Sequence, residues 1–343
     1  MELSGTVLWG EDYEPVEGTL VVEDGEVVRL DEELTDSEDI VLPAFVNAHT
    51  HLGDSIAKEA GRGLTLEELV APPDGLKHRL LREASREELV EGMRRSLQFM
   101  HQTGTTRTLE FREGGIEGVH ALREAAEGTG VDPFIFGRET TDVLGVADGF
   151  GASGAADGEF GRERNAARDA GKPFAIHAGE VDSRDINPAI DLDPDLLVHM
   201  VHAEGLHLDR VEDNGIPVAV CPRSNLVTDV GTPPVSDLLD RTTVALGTDN
   251  VMTNSPSMFR EMAFASKLFD VSAPEVLRMA TRAGAEILGE DHGVLEAGRD
   301  ARLLVLDGDS DNLAGARDPV RAVVRRAGAS DVKRVVTPES LAE

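Results

Sequence analysis

Residues 40–51 read IVLPAFVNAHTH. An apolar run, Ile40 to Ala48, ends on His49-Thr50-His51. Such a run predicts a buried β-strand, and residues two apart on a strand point to the same side. His49 and His51 can therefore reach one ion together. Three more fragments repeat the design. His177 follows Pro173–Ile176 in FAIHAGE, His199 lies in DLLVHMV, and Asp249 closes TVALGTD. Each short strand-like run delivers a polar residue at its C-terminal end, where a (β/α) barrel keeps its chemistry. Imidazole and carboxylate are the ligands a divalent metal takes.

Outward from these fragments, strand-like and helical runs alternate, which predicts a parallel α/β fold. The strand ending at His49 is followed by candidates at Thr105–Phe111, Pro133–Arg138, Val143–Ala147, Phe174–Ala178, Leu196–Val201, Val218–Cys221 and Val244–Thr248. A glycine-rich stretch, DGFGASGAADG, follows the fourth of these and reads as a loop. Thr65 with Glu68 and Ser85 with Glu88 are capping-box pairs, and Leu89, Met93, Leu97 and Met100 share one face of the second helix, which ends at Gly104. Ser272-Ala-Pro-Glu275 opens another helix, with proline in its first turn. The two chain ends read differently, as short strands and turns. Thr6–Trp9, Thr19–Val22 and Glu26–Leu30 lie at the start, with Asp24-Gly25 as a hairpin turn. Gly293–Glu296, Ala301–Asp307, Pro319–Arg325 and Val332–Thr337 lie at the end.

The chain has 343 residues, enough for one barrel of about 250 residues and a small second domain. Asp and Glu number 65 against 33 Lys and Arg, for a formal net charge of -32. Only five of the basic residues are lysine, at 58, 77, 172, 267 and 333. So acidic a chain excludes nucleic acid and anionic membrane as expected partners. The expected partner is a small-molecule substrate, with a homo-oligomer open. Dense carboxylates also suit high salt, which screens their mutual repulsion. On this halophilic reading, dialysis into dilute buffer lowers both stability and activity, as a denaturation curve at two ionic strengths would measure. One cysteine, Cys221, excludes an internal disulfide and fits a reducing cytoplasm. No signal-peptide pattern opens the sequence, and no apolar stretch approaches about 18 residues.

Each motif has a plain alternative. A lone His-x-His among ten histidines is mostly accidental. His177 with Glu180 also fits a core-edge histidine beside a surface carboxylate. Asp249 also fits a turn after a strand. In VHMVHAEGLHL three histidines compete, at 199, 202 and 207. Order and placement argue for the site, since all four fragments end strands.

Taken in order, HTH after an apolar strand, HAGE, VHMVH followed by CPRSNL, and ALGTDN resemble the amidohydrolase superfamily. The resemblance is to its branch of cytosine, guanine, adenosine-type and S-adenosylhomocysteine deaminases and triazine chlorohydrolases. It runs from about Leu42 to Leu306. It implies a TIM-like (β/α)8 barrel over 43–289, with 1–42 and 290–343 forming a small β-sandwich. It implies one divalent metal, Zn²⁺ or Fe²⁺, on His49, His51, His177 and Asp249. The bridging lysine of binuclear relatives has no counterpart, because the only lysine between 77 and 267 is Lys172, in a turn. Glu180 becomes a proton shuttle. His199, 23 residues before Pro222 as in the family pattern, becomes a donor to the reacting centre. Asp249 adds a proton-accepting role. Arg112, Arg138, Arg223, Ser224 and Asn225 are the substrate-contact candidates. The implied reaction is hydrolysis by metal-activated water, most simply deamination of an amino-substituted nitrogen heterocycle. A cyclic-amide hydrolase of imidazolonepropionase type, a chlorohydrolase and a catalytically silent metal-binding barrel are the alternatives.

Overall fold

The computed structural model describes residues 1–71 and 73–341. In chain order its strands are β1 (Glu2–Trp9), β2 (Glu14–Glu23), β3 (Glu26–Glu32), β4 (Ile40–Pro43), β5 (Phe45–His51), β6 (Thr105–Arg112), β7 (Asp132–Gly137), β8 (Gly149–Ala152), β9 (Phe174–Ala178), β10 (Leu196–His199), β11 (Val218–Val220), β12 (Val244–Leu246), β13 (Asp249–Asn250), β14 (Leu303–Leu306) and β15 (Val332–Val336). They divide between two compact units. One comprises Met1–Asn47, Met100–Thr106 and Ser257–Glu343; the other comprises Ala48–Phe99 and Arg107–Pro256.

In the first unit both chain ends pair in one six-stranded sheet, ordered β15-β14-β4-β1-β2-β3. The β2–β3 hairpin turns through Asp24 and Gly25, both at positive φ, which is the backbone a two-residue hairpin demands. Alternate residues of the sheet, among them Val7, Leu20, Val22, Val41, Leu303 and Val305, form its buried core. Two expected strands are absent. Pro319–Arg325 is a helix, because the Asp318 side chain accepts from the Arg321 amide at 2.9 Å and proline occupies the first turn. Gly293–Glu296 lies in irregular chain. The helix Ala273–Ala280 carries the expected capping box, with Val276 and Met279 buried.

The second unit is a curled parallel sheet, ordered β12-β11-β10-β9-β8-β7-β6-β5-β13. Its two end strands, β12 and β13, are joined by Gly247-Thr248 alone, so the last strand is bonded to β11 on one side and to β5 on the other. Gly247 is required there. A Cβ on it would lie 2.6 Å from His49 Cβ and 2.8 Å from His49 N.

The fourth expected strand is displaced. Thr141–Gly145 is a tight 3-10 turn, and the strand is the glycine-rich β8. Bulk explains the shift. A Cβ on Gly149 or Gly151 would come within 2.7 Å of the Phe136 or Phe111 ring, so glycine is what fits beside those phenylalanines. No helix among the described residues is long and apolar enough to cross a membrane.

Candidate active site

Four strand ends converge. His49 and His51 come from the end of β5, His177 from β9, His199 from the last residue of β10, and Asp249 from β13. Glu180 lies in the turn beyond β9, where Gly179 at φ 64° reverses the chain. His199 and Asp249 themselves sit at φ 79° and 59°. Non-glycine residues adopt that backbone at an energetic cost, and such strain concentrates at functional sites.

The imidazoles are oriented by their Nδ1 atoms. His177 Nδ1 lies 2.8 Å from the Ala152 carbonyl. His51 Nδ1 lies 3.1 Å from the Phe111 carbonyl and 2.9 Å from Glu113 Oε1. Both Nδ1 atoms therefore carry the proton, and both Nε2 lone pairs turn inward. His49 Nε2 is 3.3 Å from His177 Nε2 and 3.4 Å from Asp249 Oδ1. His51 Nε2 is 3.7 Å from the same Asp249 oxygen. Burial pushes the pKa of His49 and His177 down, and that of His51 to about 3. Asp249 moves the other way. Burial works against its charge, but hydrogen bonding and attraction from the surrounding histidines hold it well below the usual carboxylate range. Neutral imidazoles with a charged carboxylate are what metal coordination requires. Nitrogen lone pairs 3.3 Å apart repel one another unless a cation or a shared proton lies between them. A three-nitrogen, one-oxygen set fits zinc or ferrous iron.

Beside this set, His199 Nε2 is 3.6 Å from Glu180 Oε2. The His199 side chain is 1% exposed and that of Glu180 is 20% exposed. Burial raises the Glu180 pKa. Neither of the two competing histidines joins the clustered ligand atoms among the described residues. His207 receives the Glu204 amide at a helix start, and the His202 amide bonds to the Gly179 carbonyl.

The five residues expected at a substrate divide. Ser224 donates to Asp249 Oδ2 at 2.6 Å, and the Asn225 amide faces His199 Nδ1 at 3.3 Å. Arg223 donates to the Ser255 carbonyl at 2.7 Å. All three are buried, and Ser224 and Asn225 contact Asp249 and His199 directly. Arg112 is also turned inward, donating to the Gly118 carbonyl, with its Nη1 filling the space a Gly53 Cβ would occupy. Arg138 alone of the five lines a cavity of about 320 Å³, together with Glu113, Phe150, Ala152 and Phe160.

The sequence reading passed over Lys77, Glu110, Glu113 and Asp54. Glu113 Oε1 accepts from Lys77 Nζ at 2.7 Å and Arg138 Nη1 at 3.2 Å, besides meeting His51. Burial works against charge on Glu113, but Lys77, His51 and Arg138 hold it ionised well below the usual range. Glu110 receives the Thr50 hydroxyl and the Leu52 amide, both at 2.8 Å, and burial raises its pKa to about 7. Asp54 receives the Met252 amide at 3.0 Å, and burial keeps it well above the usual range. Lysine scarcity was the available signal for Lys77; Glu110, Glu113 and Asp54 belong to no motif in a chain rich in carboxylates.

Residues 40–337 match the amidohydrolase family. An uncharacterized protein of Methanocaldococcus jannaschii is 35% identical over 367 residues, covering 96% of each chain. A 5-methylthioadenosine/S-adenosylhomocysteine deaminase of Haloarcula marismortui is 29% identical, covering 92% of this chain and 84% of its own. Among solved structures, the zinc-complexed atrazine chlorohydrolase of Arthrobacter aurescens superposes with a TM-score of 0.82 at 21% identity, over 99% of this chain and 94% of its own. With the match spanning most of the sequence and the relative aligned end to end, the chain belongs to the amidohydrolase family and is a hydrolase acting on carbon–nitrogen bonds.

Proposed function

We propose that this protein deaminates an amino-substituted nitrogen heterocycle, of purine, pyrimidine, pterin or nucleoside type, at a single zinc or ferrous ion held by His49, His51, His177 and Asp249. The observation that carries the reading is the pairing of that ligand set with Glu180 and His199. Holding a metal needs neither of them, which argues against a silent metal-binding barrel. The curled sheet corresponds to the (β/α)8 barrel, and the single six-stranded sheet of the chain ends stands where a β-sandwich was expected. A divalent ion held by these residues would supply a water of lowered pKa, toward about 7. The protein's own groups do the rest. Glu180 delivers a proton to the ring nitrogen, making the adjacent carbon electrophilic. His199 stabilises negative charge as it develops on the attacked centre. Asp249, held by Ser224, would accept a proton from the attacking water and pass it to the amine, which leaves as ammonia as the new carbon–oxygen bond replaces the carbon–nitrogen bond.

Lys172 supports one ion rather than two. Its Nζ donates to the Leu144 and Ala147 carbonyls at 2.6 Å, away from the ligand set. The deaminase relative supports an amine as leaving group, whereas the chlorohydrolase fold shows that one scaffold accommodates another. A soluble cytoplasmic protein acting on a small molecule at high salt is the setting that composition supports. The test is ammonia release by the zinc-loaded protein over a panel of amino-heterocycles. We expect at least one amino-purine or its nucleoside to turn over. Hydrolysis of cyclic amides or chloro-heterocycles with no ammonia from any amino compound would replace deamination with the second reading.

A further inference from the structure

The buried ammonium of Lys77 has no role in the chemistry just described. Its side chain is 3% exposed, whereas Lys58, Lys267 and Lys333 are all at the surface. Burying an ammonium costs several kcal/mol unless it is paired and hydrogen-bonded. Lys77 meets both demands in one way. It donates to Glu113 Oε1 at 2.7 Å and to Asn250 Oδ1 at 3.1 Å. Each acceptor is itself bonded to a candidate ligand. Glu113 Oε1 lies 2.9 Å from His51 Nδ1, and Asn250 Nδ2 donates to Asp249 Oδ1 at 2.9 Å. A continuous chain of hydrogen bonds thus runs His51–Glu113–Lys77–Asn250–Asp249. It leaves one candidate ligand and returns on the other.

We propose that Lys77 is a positioning residue, the central link of a brace that sets His51 and Asp249 against each other. The inference rests on those two residues being metal ligands. Lysine suits the position because one ammonium donates to two acceptors at once. Glu113 on its own would fix the His51 ring, as carboxylates behind metal-bound histidines do. Lys77 adds a connection to the opposite ligand, contributed by a different strand. The helix Leu76–Glu83, which carries Lys77, is in this way tied to the spacing of the site.

The test is zinc affinity of the full-length protein, measured by competition with a chromophoric chelator, on wild type, Lys77→Met, Asn250→Ala and the double variant. Loss of a supporting bond behind a ligand weakens metal binding roughly 10- to 100-fold. We expect each single variant to fall in that range. The double variant should be little weaker than the worse single one, because both substitutions cut the same brace. The visible spectrum of the cobalt-loaded protein should also change in both single variants, which a remote structural defect would not cause. If Lys77→Met fails to fold, as circular dichroism would reveal, Asn250→Ala carries the test alone. Wild-type affinity and spectrum in the folded variants overturn the brace while leaving the metal site standing. A wild type that binds no zinc overturns the metal reading, and the brace with it.

Discussion

Replacing Glu180 with glutamine leaves zinc content at the wild-type level and lowers kcat by about a hundred- to ten-thousand-fold, the range that a positioned proton-transfer group supplies. The expectation follows from where Glu180 sits. Its Oε2 lies 3.6 Å from His199 Nε2, and the Oδ1 of Asp249, not Glu180, meets His49 and His51. Burial raises its pKa, so the acid form persists to higher pH than in an exposed glutamate. Glutamine preserves size and the carbonyl acceptor but cannot give up a proton and take it back. One competing geometry makes the measurement informative. Glu180, His199 and Asp249 also place three ligand atoms within 4.8 Å of one another. If that trio held the ion, Glu180→Gln would lose metal together with activity. Intact zinc with abolished turnover assigns the proton role; lost zinc reassigns Glu180 as a ligand; near-normal kcat removes it from the chemistry.

The candidate site was legible in the sequence for a physical reason. Parallel strands buried on both faces are continuous apolar runs, so a polar residue ending such a run stands out. His49, His51, His177, His199 and Asp249 all announce themselves in that way. The fourth strand did not, because β8 is built of glycine and small residues, and its bulk is supplied by Phe111 and Phe136 from its neighbours. Composition reads that segment as a loop, and only packing makes it a strand. Pro319–Arg325 shows the converse. Its Val-x-x-Val-Val pattern fits either period, and the Asp318 cap decides for helix. The supporting residues were the hardest to read. Lys77 precedes Glu113 by a long stretch of chain, and nothing local marks two residues that meet only after folding. Arg112 was noticed because it is charged and near a strand end, and the structure turns it inward to the Gly118 carbonyl. The same charge that makes a residue conspicuous as a substrate contact also suits it to pairing with a buried carboxylate.

Replacing His177 with alanine should remove most of the zinc, weakening its binding by more than the roughly 10- to 100-fold that a supporting bond controls. His177 supplies a whole ligand, and its Nε2 is only 3.3 Å from His49 Nε2. The two nitrogens sit within hydrogen-bonding distance, where one shared proton or one cation holds them together. The substitution therefore acts in two ways. It opens a cavity where the ring stood, with or without zinc, and it takes a ligand from the zinc-loaded protein. Melting temperature alone would mix these effects. The increment that zinc adds to stability separates them, because a ligand that binds only the folded state stabilises it by about 2.7 kcal/mol at a hundred times its Kd. Wild type should show an increment of that order under such zinc, and His177→Ala, at the same zinc concentration, one close to zero. Retention of the full increment and of one zinc per chain would show that the ion sits elsewhere in the cluster, and the alternative group of Glu180, His199 and Asp249 would be the place to look.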